Sequence, residues 1–95
     1  MANGTVKKLL IVEDDPSLLS ALTERFRDEG LLVFTASDGE AGLDSALKNK
    51  PDITLLDIVM PKMDGLMMLK SLREDTWGKK AQIILLTNLT ATDAI

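Results

Sequence analysis

Apolar positions along the chain alternate between two patterns, unbroken short runs and helically spaced stripes. Leu9-Leu10-Ile11-Val12 is a continuous run, the signature of a strand covered on both faces. Glu13-Asp14-Asp15-Pro16 stops it, and Pro16 suits the first turn of a helix, where its missing N–H is no loss. Leu18, Leu19, Leu22 and Phe26 then recur at helical spacing, with Glu24, Arg25, Arg27 and Asp28 on the outward side. Gly30 follows where a left-handed cap ends such a helix. Residues 31–36 predict a second strand. Ser37-x-x-Glu40 predicts a capping box opening a helix that carries Ala41, Leu43, Ala46 and Leu47, which Pro51 keeps from running on. Ile53-Thr54-Leu55-Leu56 predicts a third strand, closed by Asp57. Pro61 and Asp64-Gly65 punctuate the next loop, and Leu66, Leu69 and Leu72 carry a third helix to about Asp75. Residues 76–80 form a polar connection, residues 81–86 a fourth strand, and Thr90-x-x-Asp93 a last capping box near the end.

Four rounds of strand and helix, with no linker or low-complexity run, predict a single domain over residues 1–95. Continuous apolar strands joined by helices make a doubly wound parallel sheet of the α/β class. Working residues in such open sheets stand beyond the carboxyl ends of the strands. Here those ends carry Glu13, Asp14 and Asp15, then Ala36 and Ser37, then Asp57, then Thr87 and Asn88.

Composition narrows the chemistry. Hydrophobic residues make up 45% of the 95, enough for a packed core, but aromatics are only 3%, so a base-stacking surface is not expected. Fifteen acids against eleven bases give a net charge of −4, which argues against binding nucleic acid or an anionic membrane. Without histidine or cysteine there is no Ser/His/Asp or thiol catalysis, no disulfide and no zinc ribbon. The apolar runs fall far short of the roughly 20 residues of a membrane span, and no secretory signal pattern opens the chain. A cytoplasmic location is the expectation.

Acids at the ends of strands one and three would converge in one crevice if those strands are neighbours. Two carboxylates ~4 Å apart repel by about 4 kcal/mol at an effective dielectric of ~20, so a cation is needed. Oxygen-only ligands point to Mg²⁺ or a similar hard ion, with open positions for phosphate oxygens. Each residue also has a plainer role when taken alone. Glu13-Asp14-Asp15 could be a helix-capping cluster, Asp57 a turn former, Thr87 a cap, and Asp64-Gly65 a turn signal. The combination weighs the other way, because every candidate falls at the carboxyl end of a strand.

Leu10-Ile11-Val12-Glu13-Asp14-Asp15, Asp38-Gly39-Glu40-Ala41, the stretch from Pro51-Asp52-Ile53 through Leu56-Asp57-Ile58-Val59-Met60-Pro61-Lys62-Met63-Asp64-Gly65, and Ile83-Ile84-Leu85-Leu86-Thr87 together resemble the receiver domain of two-component response regulators. The resemblance runs without a gap over residues 7 to 90. It implies a flavodoxin-like receiver fold with strand order 2-1-3-4, and Asp57 as phosphoacceptor. It also implies Mg²⁺ held by Glu13, Asp14, Asp57 and the backbone carbonyl of Val59, with Thr87 as the switch hydroxyl that meets the phosphoryl group. The implied function is that of a phosphoacceptor module in two-component signalling, not a turnover enzyme. Its partner would be a sensor histidine kinase or phosphotransfer protein.

The sequence departs from the family in two places. Asn88 stands where a small residue usually follows the switching Thr. The family's fourth helix, fifth strand, fifth helix and strand-five Lys are not in these 95 residues, and Lys62 lies outside that Lys position. The expectation is therefore a receiver truncated after strand four, at the start of helix four, self-associating through an exposed strand four. The alternative is a signalling-inactive module that serves only for interaction. A haloacid-dehalogenase type of phosphatase would need a second Asp where Val59 stands. A flavodoxin-type module would need a phosphate cradle where Glu13-Asp14-Asp15 stands.

Overall fold

A computed structural model of the chain describes residues 6–60 and 62–86. Four strands, β1 (Lys8–Val12), β2 (Leu32–Ala36), β3 (Ile53–Asp57) and β4 (Ile83–Leu86), form one parallel sheet in the order β2-β1-β3-β4. Helices α1 (Pro16–Asp28), α2 (Gly39–Asn49) and α3 (Gly65–Arg73) cross between them, with one 3₁₀ turn at Gly78–Lys80 before β4. The predicted class and strand order are those observed.

The core explains the apolar runs. Successive strand residues point to opposite faces, so Leu10, Val12 and Leu56 pack with Ala46, Met68 and Leu72 beneath α2 and α3. Leu9, Ile11, Val33 and Leu55 pack on the other face against Leu19, Leu22 and Phe26 of α1. Leu10 and Ile11, adjacent in sequence, are both fully buried. A central strand of this kind has no polar face to show.

Local details differ from the sequence expectation in three places. Asp38 caps α2, its Oδ1 accepting from the Ala41 N–H at 2.8 Å, so Ser37 does not open a capping box. Asp64-Gly65 is a helix start, with Asp64 Oδ1 accepting from the Met67 N–H at 2.9 Å. The buried stripe of α3 is Gly65, Met68 and Leu72, while Leu66 is exposed. The capping box expected at Thr90 lies outside the described residues.

Charge is segregated along the strand direction. All but Lys62 of the eleven Lys and Arg stand at or near the amino ends of the strands. Lys7 and Lys8 open β1, Lys79 and Lys80 precede β4, and Arg25, Arg27, Lys48, Lys70 and Arg73 occupy last helical turns, with Lys50 at the end of α2. The last-turn bases complement the helix dipoles. Among the described residues no helix is long and apolar enough to cross a membrane.

Candidate functional site

Pairing of β1 with β3 sets Val12 opposite Leu56, which brings the next residues, Glu13 and Asp57, to adjacent positions at the carboxyl edge of the sheet. Glu13 is held there by its own backbone, whose N–H donates to the Ala36 carbonyl of β2 at 3.0 Å. The acidic triplet then divides. Asp15 turns to α1 and caps it, its Oδ1 accepting from the Ser17 and Leu18 N–H groups at 2.9 and 3.4 Å. Glu13 Oε2 accepts from the Asp15 N–H at 3.0 Å, which fixes the turn. Glu13 and Asp14 are left for the crevice.

One carboxylate oxygen from each of Glu13, Asp14 and Asp57 lies within 4.8 Å of the others. Glu13 and Asp57 are buried, at 5% and 4% exposure, and Asp14 is exposed. Among the described residues none of the three has an ion-pair partner. Burial, with the charge of Asp14 adding to it, pushes the Asp57 carboxyl above the usual carboxylate range, although the Val59 N–H opposes this. Burial likewise raises Glu13, with the Asp57 charge adding to it and the Asp15 N–H opposing. Three hard oxygen donors that repel one another suit Mg²⁺ or a similar ion. The residues present therefore fit the ion that the sequence implies.

The loop after β3 is built around Asp57. Its Oδ1 accepts from the Val59 N–H at 3.4 Å, and the Ile58 N–H donates to the Leu86 carbonyl of β4 at 3.2 Å. The Gly65 N–H donates to the Ile58 carbonyl at 2.9 Å, closing the base of the loop. A side chain at position 65 would collide with the Asp57 carbonyl oxygen, so only glycine lets α3 start this close to the end of β3. The result is a crevice of about 500 Å³, lined by Glu13, Asp14, Asp15, Leu18, Leu22, Asp57, Val59 and Leu86.

Sequence reasoning located Glu13, Asp14, Asp57 and Val59, and the fold gathers all four on this crevice. Thr87 and Asn88 lie outside the described residues; Leu86, which precedes them, pairs with Asp57 at the end of β4. The apolar rim of Leu18, Leu22 and Leu86 was not foreseen, because helical spacing alone assigned the α1 leucines to the core. Nor was the ion pair between Lys62 Nζ and Asp38 Oδ2, at 3.6 Å. The Ala41 N–H, then the Lys62 charge, hold the Asp38 carboxyl below its usual range. A second hollow of about 370 Å³ opens at the opposite end of the sheet, around Leu9, Leu31 and Ile53. Its one carboxylate, Asp52, already accepts from the Lys8 N–H at 2.7 Å.

Comparison with known proteins agrees with this geometry. A family model described as the response regulator receiver domain matches residues 9–95. The chain is 43% identical over 68 residues to the alkaline phosphatase synthesis transcriptional regulatory protein PhoP of Bacillus subtilis, covering 72% of this chain and 28% of that protein. It thus spans less than a third of that regulator's length. Among solved structures, the chemotaxis response regulator CheY4 of Vibrio cholerae superposes with a TM-score of 0.85 and 32% identity, over 95% of this chain and 75% of that one. The response regulator TrrA of Thermotoga maritima, crystallised in complex with Mg(2+)-BeF, gives 0.81 and 34%, over 94% and 76%. The match takes in every described helix and, but for Lys8, all four strands, and the chain belongs to the response regulator receiver domain family.

Proposed function

We propose that this receiver domain accepts a phosphoryl group on Asp57 from a histidine kinase or phosphotransfer protein, or from a small phosphodonor, within a cytoplasmic two-component system. The observation that carries the proposal is the convergence of Glu13, Asp14 and Asp57 within 4.8 Å at the ends of neighbouring strands. An Asp57 carboxylate oxygen attacks phosphorus, the bond from phosphorus to the donor atom breaks, and the donor leaves with the electron pair. Glu13, Asp14, Asp57 and the Val59 carbonyl would hold Mg²⁺, which when bound offsets the negative charge of the transferring group. The Mg(2+)-BeF complex of TrrA supports that assignment by similarity.

Thr87, one residue beyond the Asp57–Leu86 pairing, is assigned the switch hydroxyl that donates to the new phosphoryl oxygens. The domain is then an acceptor that is charged and discharged, not a turnover enzyme. Incubation with Mg²⁺ and a small phosphodonor, followed by intact mass, tests this. A gain of one phosphoryl group that disappears in Asp57→Asn is expected; no gain, or a gain retained in the variant, overturns it.

A second role has one observation in its favour. Among the described residues β4 is an edge strand, with Ile84 and Leu85 at 50% and 39% exposure. Such an edge templates pairing with another chain. A polypeptide of these 95 residues alone should therefore self-associate. Light scattering across a hundredfold concentration range tests it, and a monodisperse monomer throughout would refute it.

A further inference from the structure

The strand ends explain the acids of the site but leave one cation at the same edge of the sheet unexplained. Lys62 is the single Lys or Arg among the described residues in a loop at the carboxyl edge of the sheet. Its backbone has φ 62, a left-handed conformation that glycine adopts freely and lysine adopts at a cost. The side chain reaches across to the neighbouring loop, where Nζ lies 3.6 Å from Asp38 Oδ2. Asp38 uses its other oxygen, Oδ1, to cap α2. Beside the ion pair the two backbones also touch, since a Cβ on Gly39 would collide with the Met63 carbonyl. Two consecutive residues before and at the start of α2 thus grip two consecutive residues of the loop that follows Asp57.

That loop is closed at its base by the Gly65–Ile58 hydrogen bond, and its near limb presents the Val59 N–H to Asp57 Oδ1. Its apex is Lys62. We infer that Lys62 is a positioning residue for Asp57: by anchoring the loop on Asp38, it keeps Val59 in place against the accepting carboxylate. The inference rests on the acceptor role proposed above. A strained residue with a long charged side chain, in place of the glycine its φ favours, is the kind of outlier from which a function is argued.

The discriminating variant is Lys62→Gly, which relieves the backbone while removing the ammonium. Its thermal midpoint should equal or exceed that of the wild type. Its amide exchange at Val59, Met60 and Lys62 should nevertheless be faster, and phosphate uptake by Asp57 from a small phosphodonor slower by about two- to fivefold, the range an exposed ion pair supports. Lys62→Arg should stay within about twofold of the wild type on the same scale. Asp38→Asn keeps a capping side chain and should match Lys62→Gly, with the double variant no worse than either. Unchanged exchange and uptake in Lys62→Gly, or losses that multiply in the double variant, would overturn the inference. A wild-type chain that takes up no phosphate overturns the acceptor role instead, and the exchange comparison, made without donor, separates the two failures.

Discussion

Asp57 is a buried carboxylate that, among the described residues, meets a backbone N–H and no countercharge, and that has a consequence for stability. Its raised pKa means the folded chain holds this proton more tightly than the unfolded one does. Folding is therefore favoured while the group is protonated and weakens as pH climbs from the ordinary carboxylate value through the raised one. In the presence of chelator, Asp57→Asn should melt near the wild type in acid and above it at neutral pH. The sign of that gap, read from melting curves in acid and at neutral pH, is the test. Mg²⁺ should then stabilise the wild type more than the variant. An Asn variant melting below the wild type at neutral pH would show that the carboxylate has a partner. Gly65→Ala tests the backbone side of the same residue. Its methyl would press on the Asp57 carbonyl, so it should cost about 1–3 kcal/mol in chemical denaturation and weaken Mg²⁺ binding by calorimetry.

At the scale of elements, the strands were legible and the exact helix faces and caps were not. β1 reads directly because both its faces are covered, so every residue from Leu9 to Val12 must be apolar whatever surrounds it. The converging acids follow from that reading, since they are simply what stands next. The cap of α2 is different: Ser37 and Asp38 are both good capping residues, one position apart. The choice is made by tertiary contact, because only Gly39 can occupy the place that abuts the Met63 carbonyl, and that leaves Asp38 as cap. In α3, Leu66, Met67, Met68, Leu69 and Leu72 are all apolar, so the period is ambiguous until Met68 packs beside Gly42. The pairing of Lys62 with Asp38 gave no sequence signal, because the two residues lie in different loops. Denaturation should reflect these assignments. Asp38→Ala and Asp64→Ala should each cost about 1 kcal/mol, and Ser37→Ala within ~0.5 kcal/mol of nothing. A large loss at Ser37 alone would mean that the capping box forms after all.

For the whole molecule, the parallel topology sorts charge as well as chemistry. Each helix descends from the carboxyl end of one strand to the amino end of the next, so helix starts gather at one pole and helix ends at the other. Glu13, Asp14, Asp15, Asp38, Asp57 and Asp64 stand at the first pole with Lys62 as their one base, while the other ten bases lie toward the second, where Asp28, Glu29, Asp52, Glu74 and Asp75 offset only part of their charge. A net charge of −4 therefore describes neither end. At ~0.15 M salt the Debye length is about 8 Å, so the acid pole is felt by an approaching cation while the remote bases are largely screened. Replacing Lys79 and Lys80 by Glu should change Mg²⁺ affinity less than about twofold at that ionic strength, whereas Asp14→Ala should weaken it markedly; calorimetry of the two variants decides. At low salt the screening lifts and the domain behaves as a dipole. In an external field, or near a charged surface, it would turn to a preferred heading before any contact is made, with the end that carries Asp57 leading toward positive charge.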